Sequence, residues 1–373
     1  MKTNPLADLS QLGQSIWLDY IDRTILKDGT LNKLIEHDRL GGLTSNPAIF
    51  EKAIARSDAY ADSIRRLQSE GASLDDLYDE LVLTDIGLAA DAFLSVYKSS
   101  EGRDGYVSIE VSPLLARDTK ATLAEARELW GRLARPNIMI KVPGTREGLP
   151  AIRQLLIEGI NVNVTLLFSV DRYVDVLSTY IEALQQRRQA GLSLSNVASV
   201  ASFFLSRIDV KVDALLDDII NAGGKQSGIA RQCRGQAAIA SAVFAYHRFN
   251  QIIKETPWQD LAAAGAQTQR LLWASTGTKD ASYSDVKYIE ALIAPDTINT
   301  VPFETLNAYR DHGEPAVRMS GNIESAAAVM RNLSELGIDM REVDDALEQE
   351  GIEKFIKPYK SLLASFENIG VPV

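Results

Sequence analysis

Eight short runs of β-branched and aromatic residues recur along the chain, each bounded by Gly, Pro, Asn or Ser. They fall at 15–21, 41–47, 106–113, 137–144, 160–168, 199–207, 269–277 and 298–306. Runs of this length and composition predict strands. Between them the apolar period lengthens from two residues to three or four. One example passes from Leu74 through Leu77, Tyr78, Leu81, Ile86, Ala89 and Phe93, with Asp85 on the same face, and predicts a helix. The intervals 48–105 and 208–268 each have room for two or more helices.

Strands alternating with helices predict βαβ units and a parallel sheet. Eight of them predict an α/β fold that closes into a (β/α)8 TIM barrel with extra helices. An open doubly wound sheet is the alternative, but no Gly-x-Gly-x-x-Gly follows a strand. No linker, repeat or low-complexity tract marks a second domain, so 1–373 reads as one barrel domain. From about 315 the pattern is helical. Ile352, Phe355, Ile356, Tyr359, Leu362, Leu363 and Phe366 share a face that should pack on the barrel, and Pro358 should kink or restart that helix.

Strands covered on both sides should read as continuous apolar runs. Several here do not. In Tyr106-Val107-Ser108-Ile109-Glu110-Val111-Ser112, Ser108, Glu110 and Ser112 alternate with the aliphatic residues. In 161–165, Asn161, Asn163 and Thr165 alternate with two valines, and Lys141 and Asp19 each sit opposite an aliphatic face. In a barrel the aliphatic face meets the helices, so Asp19, Glu110, Lys141, Asn163 and Thr165 should converge inside. Burying such groups is costly unless they pair or neutralise. One inward polar residue is commonly a satisfied core hydrogen bond, but five in phase point to a functional site. A barrel keeps its site at the C-terminal strand ends, near which Asp19 and Lys141 fall.

Burial disfavours an ammonium, so a lysine among apolar groups is expected to yield a neutral amine that attacks carbonyls. The resulting iminium is an electron sink beside which a C–C bond can break. That chemistry also needs a base for the hydroxyl that loses its proton, and an acid with an ordered water to dehydrate the carbinolamine. Asp19 and Glu110 can fill those roles, and the amides and Thr165 can hold hydroxyls and the water.

Composition narrows the partners. A net charge of −11 repels nucleic-acid phosphates and anionic lipid, so neither is expected. An anionic substrate must meet a locally basic pocket. Cys233 is the one cysteine, which fits a reducing compartment; Arg231 and Arg234 flank it, yet a packed thiol is the plainer reading. No apolar leader opens the chain and no run approaches a membrane span, so a cytoplasmic protein is expected. The histidines His37, His247 and His312 show no zinc-ligand spacing.

At the inward polar residues the sequence resembles the transaldolase family. The motifs are Gly42-Leu43-Thr44-Ser45-Asn46-Pro47, Ser108-Ile109-Glu110-Val111, Ile140-Lys141-Val142-Pro143-Gly144-Thr145 and Asn161-Val162-Asn163-Val164-Thr165-Leu166-Leu167-Phe168-Ser169. Ser202-Phe203-Phe204-Leu205-Ser206-Arg207-Ile208-Asp209 and Trp273-Ala274-Ser275-Thr276-Gly277-Thr278-Lys279 follow in family order. Each motif is weak alone; together they are specific and span about 15 to 310.

The resemblance implies that Lys141 forms the Schiff base, Asp19 acts at the C4 hydroxyl, and Glu110 and Thr165 handle the catalytic water. It implies that Asn46 and Asn163 bind the dihydroxyacetone hydroxyls with Ser202 nearby, that Phe204 lines the pocket, and that Arg207 and Ser275 bind phosphate. Sugar phosphates are the implied substrates, no metal or organic cofactor is implied, and a monomer or homodimer is expected. The better-known branch carries Ser-Phe-Arg after strand seven. Here the segment runs from Ser275 to Lys279, so Lys279 is the expected stand-in, a point charge without arginine's fork. A longer branch, sometimes fused to a sugar-phosphate isomerase, is also similar, but the chain stops at Val373 and no second domain is expected. The competing readings are a free aldolase like fructose 6-phosphate aldolase and a non-catalytic binding barrel. Free aldolases of that kind lack counterparts of Glu110 and Phe204.

Overall fold

The computed structural model describes residues 4–55, 57–319 and 321–368. Its eight strands are β1 (Gln14–Leu18), β2 (Gly42–Thr44), β3 (Tyr106–Glu110), β4 (Ile138–Pro143), β5 (Val162–Leu167), β6 (Ser199–Phe204), β7 (Arg270–Ala274) and β8 (Thr297–Val301). Each pairs in parallel with the next, and β8 returns to β1, so the sheet is a closed barrel. All eight predicted strands are present, and the open-sheet alternative is excluded.

The strands are shorter than the sequence runs at their C-terminal ends, because there the chain turns into loops and helices. After Thr44, the Asn46 side chain accepts from the Ile49 N–H, and Pro47 opens the helix Pro47–Ala55. Proline suits a first helical turn, where its missing N–H is not needed. Asn46 therefore sits above the strand, at the barrel mouth, rather than within it.

Register sets the site. Glu110 lies beside Lys141, Lys141 beside Asn163, and Pro143 beside Thr165. Between Val164 and Leu167 the β5–β6 register slips, and Leu166 adopts φ 60°. A bulge there turns the end of β5 just above Thr165, as bulges beside functional sites commonly do. Lower in the barrel, Arg270 donates to Ser15 and Asp104, and Gln269 donates to Ser199. The lower interior is thus a hydrogen-bonded polar layer with Trp17 packed above it. Gly42 makes room for Trp17: a Cβ at position 42 would stand 2.6 Å from the indole ring and 2.7 Å from the Tyr106 carbonyl.

Helices surround the barrel, including the predicted Leu74–Ser99. Leu77, Leu81, Ile86, Ala89 and Phe93 are buried on its expected face. Asp85, on that face too, is paired with Arg23 at 2.9 Å and accepts from the Tyr60 hydroxyl.

The C-terminal segment forms Ile323–Glu335 and Met340–Asn368. The second runs on through Pro358 instead of restarting there. Ile352, Phe355, Tyr359, Leu362 and Phe366 are buried on both sides of the proline, and that packing outweighs one missing backbone bond. Phe366 accepts through its carbonyl from Gln68, and Tyr359 donates to Asp75. This helix lies across the barrel mouth and brings Phe355 to it. Cys233 is buried, and burial pushes its thiol up, so the packed reading holds. Among the described residues no helix is long and apolar enough to cross a membrane.

Candidate active site

A cavity of about 430 Å³ opens at the C-terminal end of the strands. Asp19, Asn46, Lys141, Thr165, Ser202, Phe204, Arg207, Ser275 and Lys279 all line it. Of the residues predicted from sequence, only Glu110 and Asn163 are absent from its wall. Both lie beside Lys141 in register, on the two strands that flank it.

Lys141 is 4% exposed. Its Nζ donates to the Ser45 carbonyl at 2.9 Å and lies 3.5 Å from Glu110 Oε2. The Lys141 nitrogen thus has a carboxyl group and a carbonyl beside it, not the purely aliphatic surroundings that the β4 sequence suggests. The ring of Phe355 stands 6.0 Å from Nζ.

Glu110 is enclosed, and burial pushes its carboxyl up to about 7 against the opposing pull of Lys141. Neither Glu110 oxygen accepts a hydrogen bond among the described residues; the approach of Lys141 is an ion pair, long for a hydrogen bond. A carboxyl so placed exchanges protons near neutral pH.

Asp19 follows β1, at the cavity wall. Burial raises its carboxyl above the usual range, and Lys141, Thr44, Arg207 and Lys279 oppose that rise. Thr44 donates to Asp19 Oδ1 at 2.7 Å and sits 2.7 Å from the Thr300 hydroxyl. Thr44 has one proton and gives it to Asp19, so Thr300 must donate to Thr44. The two threonines hold one carboxylate oxygen and leave the other toward the cavity.

Asn163 is fully buried, with both ends of its amide engaged: Nδ2 donates to Ser108 Oγ at 3.0 Å, and Oδ1 accepts from Ser202 Oγ at 2.6 Å. This orders the layer beneath the cavity. The Thr165 hydroxyl is buried and has no hydrogen-bond partner among the described residues. It is the free polar group closest in sequence to the bulge and faces the same space as Lys141.

On the far wall the guanidinium of Arg207 is clamped between two rings, 5.1 Å from Phe204 and 5.5 Å from Phe355. Its burial lowers its basicity, with Glu110, Asp19 and Glu350 opposing. Ser275, at φ 53°, shares a hydroxyl contact of 2.8 Å with Ser206 beside it. Lys279 is exposed at the rim. A planar cation held between rings in the wall and an exposed one at the rim together make a pocket basic enough for a phosphate, in a protein that is acidic overall.

Sequence reasoning missed Thr44, Thr300, Lys52, Lys354 and Phe355 as cavity residues. Thr44 was legible within the Gly42–Pro47 motif. Phe355 was legible only as part of an apolar helix face; nothing local says that this face spans the mouth.

The family model for transaldolase/fructose-6-phosphate aldolase matches residues 16–366. A protein of Nostoc sp. named transaldolase 2 is 45% identical over 372 residues, covering 98% of both chains. Transaldolase of Trichodesmium erythraeum is 46% identical over 98% of both chains, and that of Saccharopolyspora erythraea 46% identical over 97% of both. Similarity of this extent runs through every strand that carries the site, and the chain belongs to the transaldolase/fructose-6-phosphate aldolase family.

Proposed function

We propose that the protein is a transaldolase, moving a dihydroxyacetone unit from sedoheptulose 7-phosphate to glyceraldehyde 3-phosphate. The products are erythrose 4-phosphate and fructose 6-phosphate, as in the non-oxidative pentose phosphate pathway of the cytoplasm. The observation that carries this reading is Lys141, buried at the cavity floor with Glu110 at 3.5 Å and Asp19 on the same wall.

Lys141, as the neutral amine, attacks the ketose carbonyl. Glu110 takes a proton from the ammonium and returns one to the carbinolamine hydroxyl, which leaves as water; Thr165 holds that water. Asp19 removes the proton of the C4 hydroxyl, the C3–C4 bond breaks, and its electrons flow into the iminium. The aldose phosphate departs and the enamine waits for an acceptor aldehyde, after which the steps reverse. Asn46, Asn163 and Ser202 position the dihydroxyacetone hydroxyls, Asn163 from below through Ser202. Phe204 closes the wall, and Arg207, Ser275 and Lys279 receive the phosphate. Retention of the three-carbon unit, instead of its release as in a free aldolase, is favoured by the ring wall of Phe204 and Phe355, which keeps water from the enamine.

Borohydride with fructose 6-phosphate, followed by peptide mapping, tests the reading. The expected result is label on Lys141 alone, abolished in Lys141→Ala. Label on another lysine, or none, overturns it.

A further inference from the structure

The loop after β7 brings both Ser275 and Lys279 to the substrate cavity. From Thr278 to Asp285 each of its residues is at least partly exposed, between the buried Gly277 and Val286. Apolar burial therefore does little to fix this stretch, and polar contacts do it instead. At its start, the Ser206 N–H donates to the Ser275 carbonyl at 3.0 Å, beside the hydroxyl contact of the same two residues. Just past Lys279 a second set begins. Arg234 Nη2 donates to Asp280 Oδ2 at 2.8 Å, and Nη1 donates to the Tyr283 hydroxyl at 3.1 Å. That hydroxyl donates in turn to Asp213 at 2.7 Å. Asp285 meets His312 at 3.0 Å on the exposed edge. Lys279 thus sits between two anchors.

Both anchors lead to one helix, Ser206–Ala222, whose second residue is Arg207. Asp209, Asp213 and Asp217 recur along it at every fourth position and so share a face. Arg234 donates to Asp217 through Nε at 2.8 Å and through Nη2 at 3.3 Å, so one guanidinium spans the helix and the loop. Asp213 also accepts from the Gly235 N–H, and Asp209 accepts from Lys287 and Tyr288 where the loop ends. Gly235 lets the ring of Tyr283 come close: its φ is 69°, and a Cβ there would stand 2.7 Å from that ring. Arg234 and Tyr283 themselves stand outside the wall of the substrate cavity.

We propose that Arg234 and Tyr283 are positioning residues for the substrate phosphate: they hold Lys279 toward the phosphate that Arg207 binds, by tying the β7 loop to the helix that bears Arg207. The inference rests on the reading above in which Arg207 and Lys279 receive the phosphate. Lysine is a point charge on a flexible stem, so what it contributes depends on where its backbone is held. Arginine's planar fork suits the tether, since it can serve a carboxylate on the helix and another on the loop at once. The ion pairs of Arg234 are partly exposed and contribute little to overall stability, so their loss should be read in substrate binding rather than in folding.

The test follows borohydride label on Lys141 against donor concentration, with fructose 6-phosphate and with unphosphorylated fructose. Lys279→Ala should raise the half-saturating concentration of fructose 6-phosphate roughly 10-fold, as for one lost charge-assisted hydrogen bond, and leave that of fructose unchanged. Arg234→Gln should raise it roughly 3- to 10-fold, on the phosphorylated donor alone, as part of the same loss. Tyr283→Phe, which keeps the Arg234–Asp280 pair, should act in the same direction by less. In the Lys279→Ala background neither change should add to the effect, because both act through Lys279. If the two variants bind fructose 6-phosphate as the parent does, weaken both donors alike, or add their full effect to Lys279→Ala, the positioning role is wrong and the phosphate reading of Lys279 stands. A Lys279→Ala protein that matches the parent on fructose 6-phosphate overturns both.

Discussion

Asp19 and Glu110 are both enclosed carboxyls, and the structure separates them by their partners. Asp19 is held by the Thr300–Thr44 hydroxyl chain and opens to the substrate cavity, whereas Glu110 lies behind Lys141 with no hydrogen-bond donor of its own. The first is placed to act on the substrate and the second on the lysine and its water. Asp19→Asn should therefore still accumulate borohydride-trappable Lys141 adduct, while turnover falls by roughly 10²–10⁴-fold. Single-turnover assays with fructose 6-phosphate check this; parent-like cleavage in Asp19→Asn would remove Asp19 from the bond-breaking step. Arg207 shows the same division between type and setting. Its residue type suits phosphate, but its rigidity comes from the rings of Phe204 and Phe355, one from β6 and one from the last helix.

The last helix, Met340–Asn368, carries a cost at its start as well as Phe355 further on. Asp344 is largely enclosed, its Oδ1 has no hydrogen-bond partner among the described residues, and Asp345, Asp171 and Asp339 surround it. Burial first, then these charges, push its carboxyl from 3.8 up to about 8. The folded state keeps this proton where the unfolded chain has lost it. Stability from the neutral carboxyl is thus fully present below about 4 and is lost as pH rises toward 8. Asp344→Asn should be more stable than the parent by about 1–3 kcal/mol near pH 8, the scale of relieving an unsatisfied buried group. The gain should shrink to nothing toward pH 4. Thermal unfolding across that range is the measurement, and a gain independent of pH would contradict the assignment. The helix also shows how packing overrides a local signal: Pro358 predicts a break, and the buried residues on both sides carry the helix through it.

Closure of the barrel depends on fits that no single strand contains. Trp17 of β1 packs over Gly42 of β2, where a Cβ would stand 2.6 Å from the indole. Gly42→Ala should cost about 1–3 kcal/mol by overpacking. Trp17→Phe should cost less in the Gly42→Ala background than in the parent, giving a coupling of at least about 0.5 kcal/mol in urea unfolding. Strict additivity would mean that the clash is relieved elsewhere. The number of strands, their order, and the inward phase of Asp19, Glu110, Lys141, Asn163 and Thr165 were determined by the sequence alone, because side chains alternate along a strand and the helix-facing side must be apolar. The motif residues from Asn46 to Lys279 were legible through the resemblance to the transaldolase family, not through alternation. Only the tertiary structure decided that Glu110 and Asn163 flank Lys141 directly, since that follows from register between strands. It alone brought Phe355 and Lys354 to the mouth, because they stand far along the chain from the strand residues that they meet there. Local pattern fixes which way a side chain points; which distant side chains it then meets depends on how the barrel closes and where the last helix lies across it.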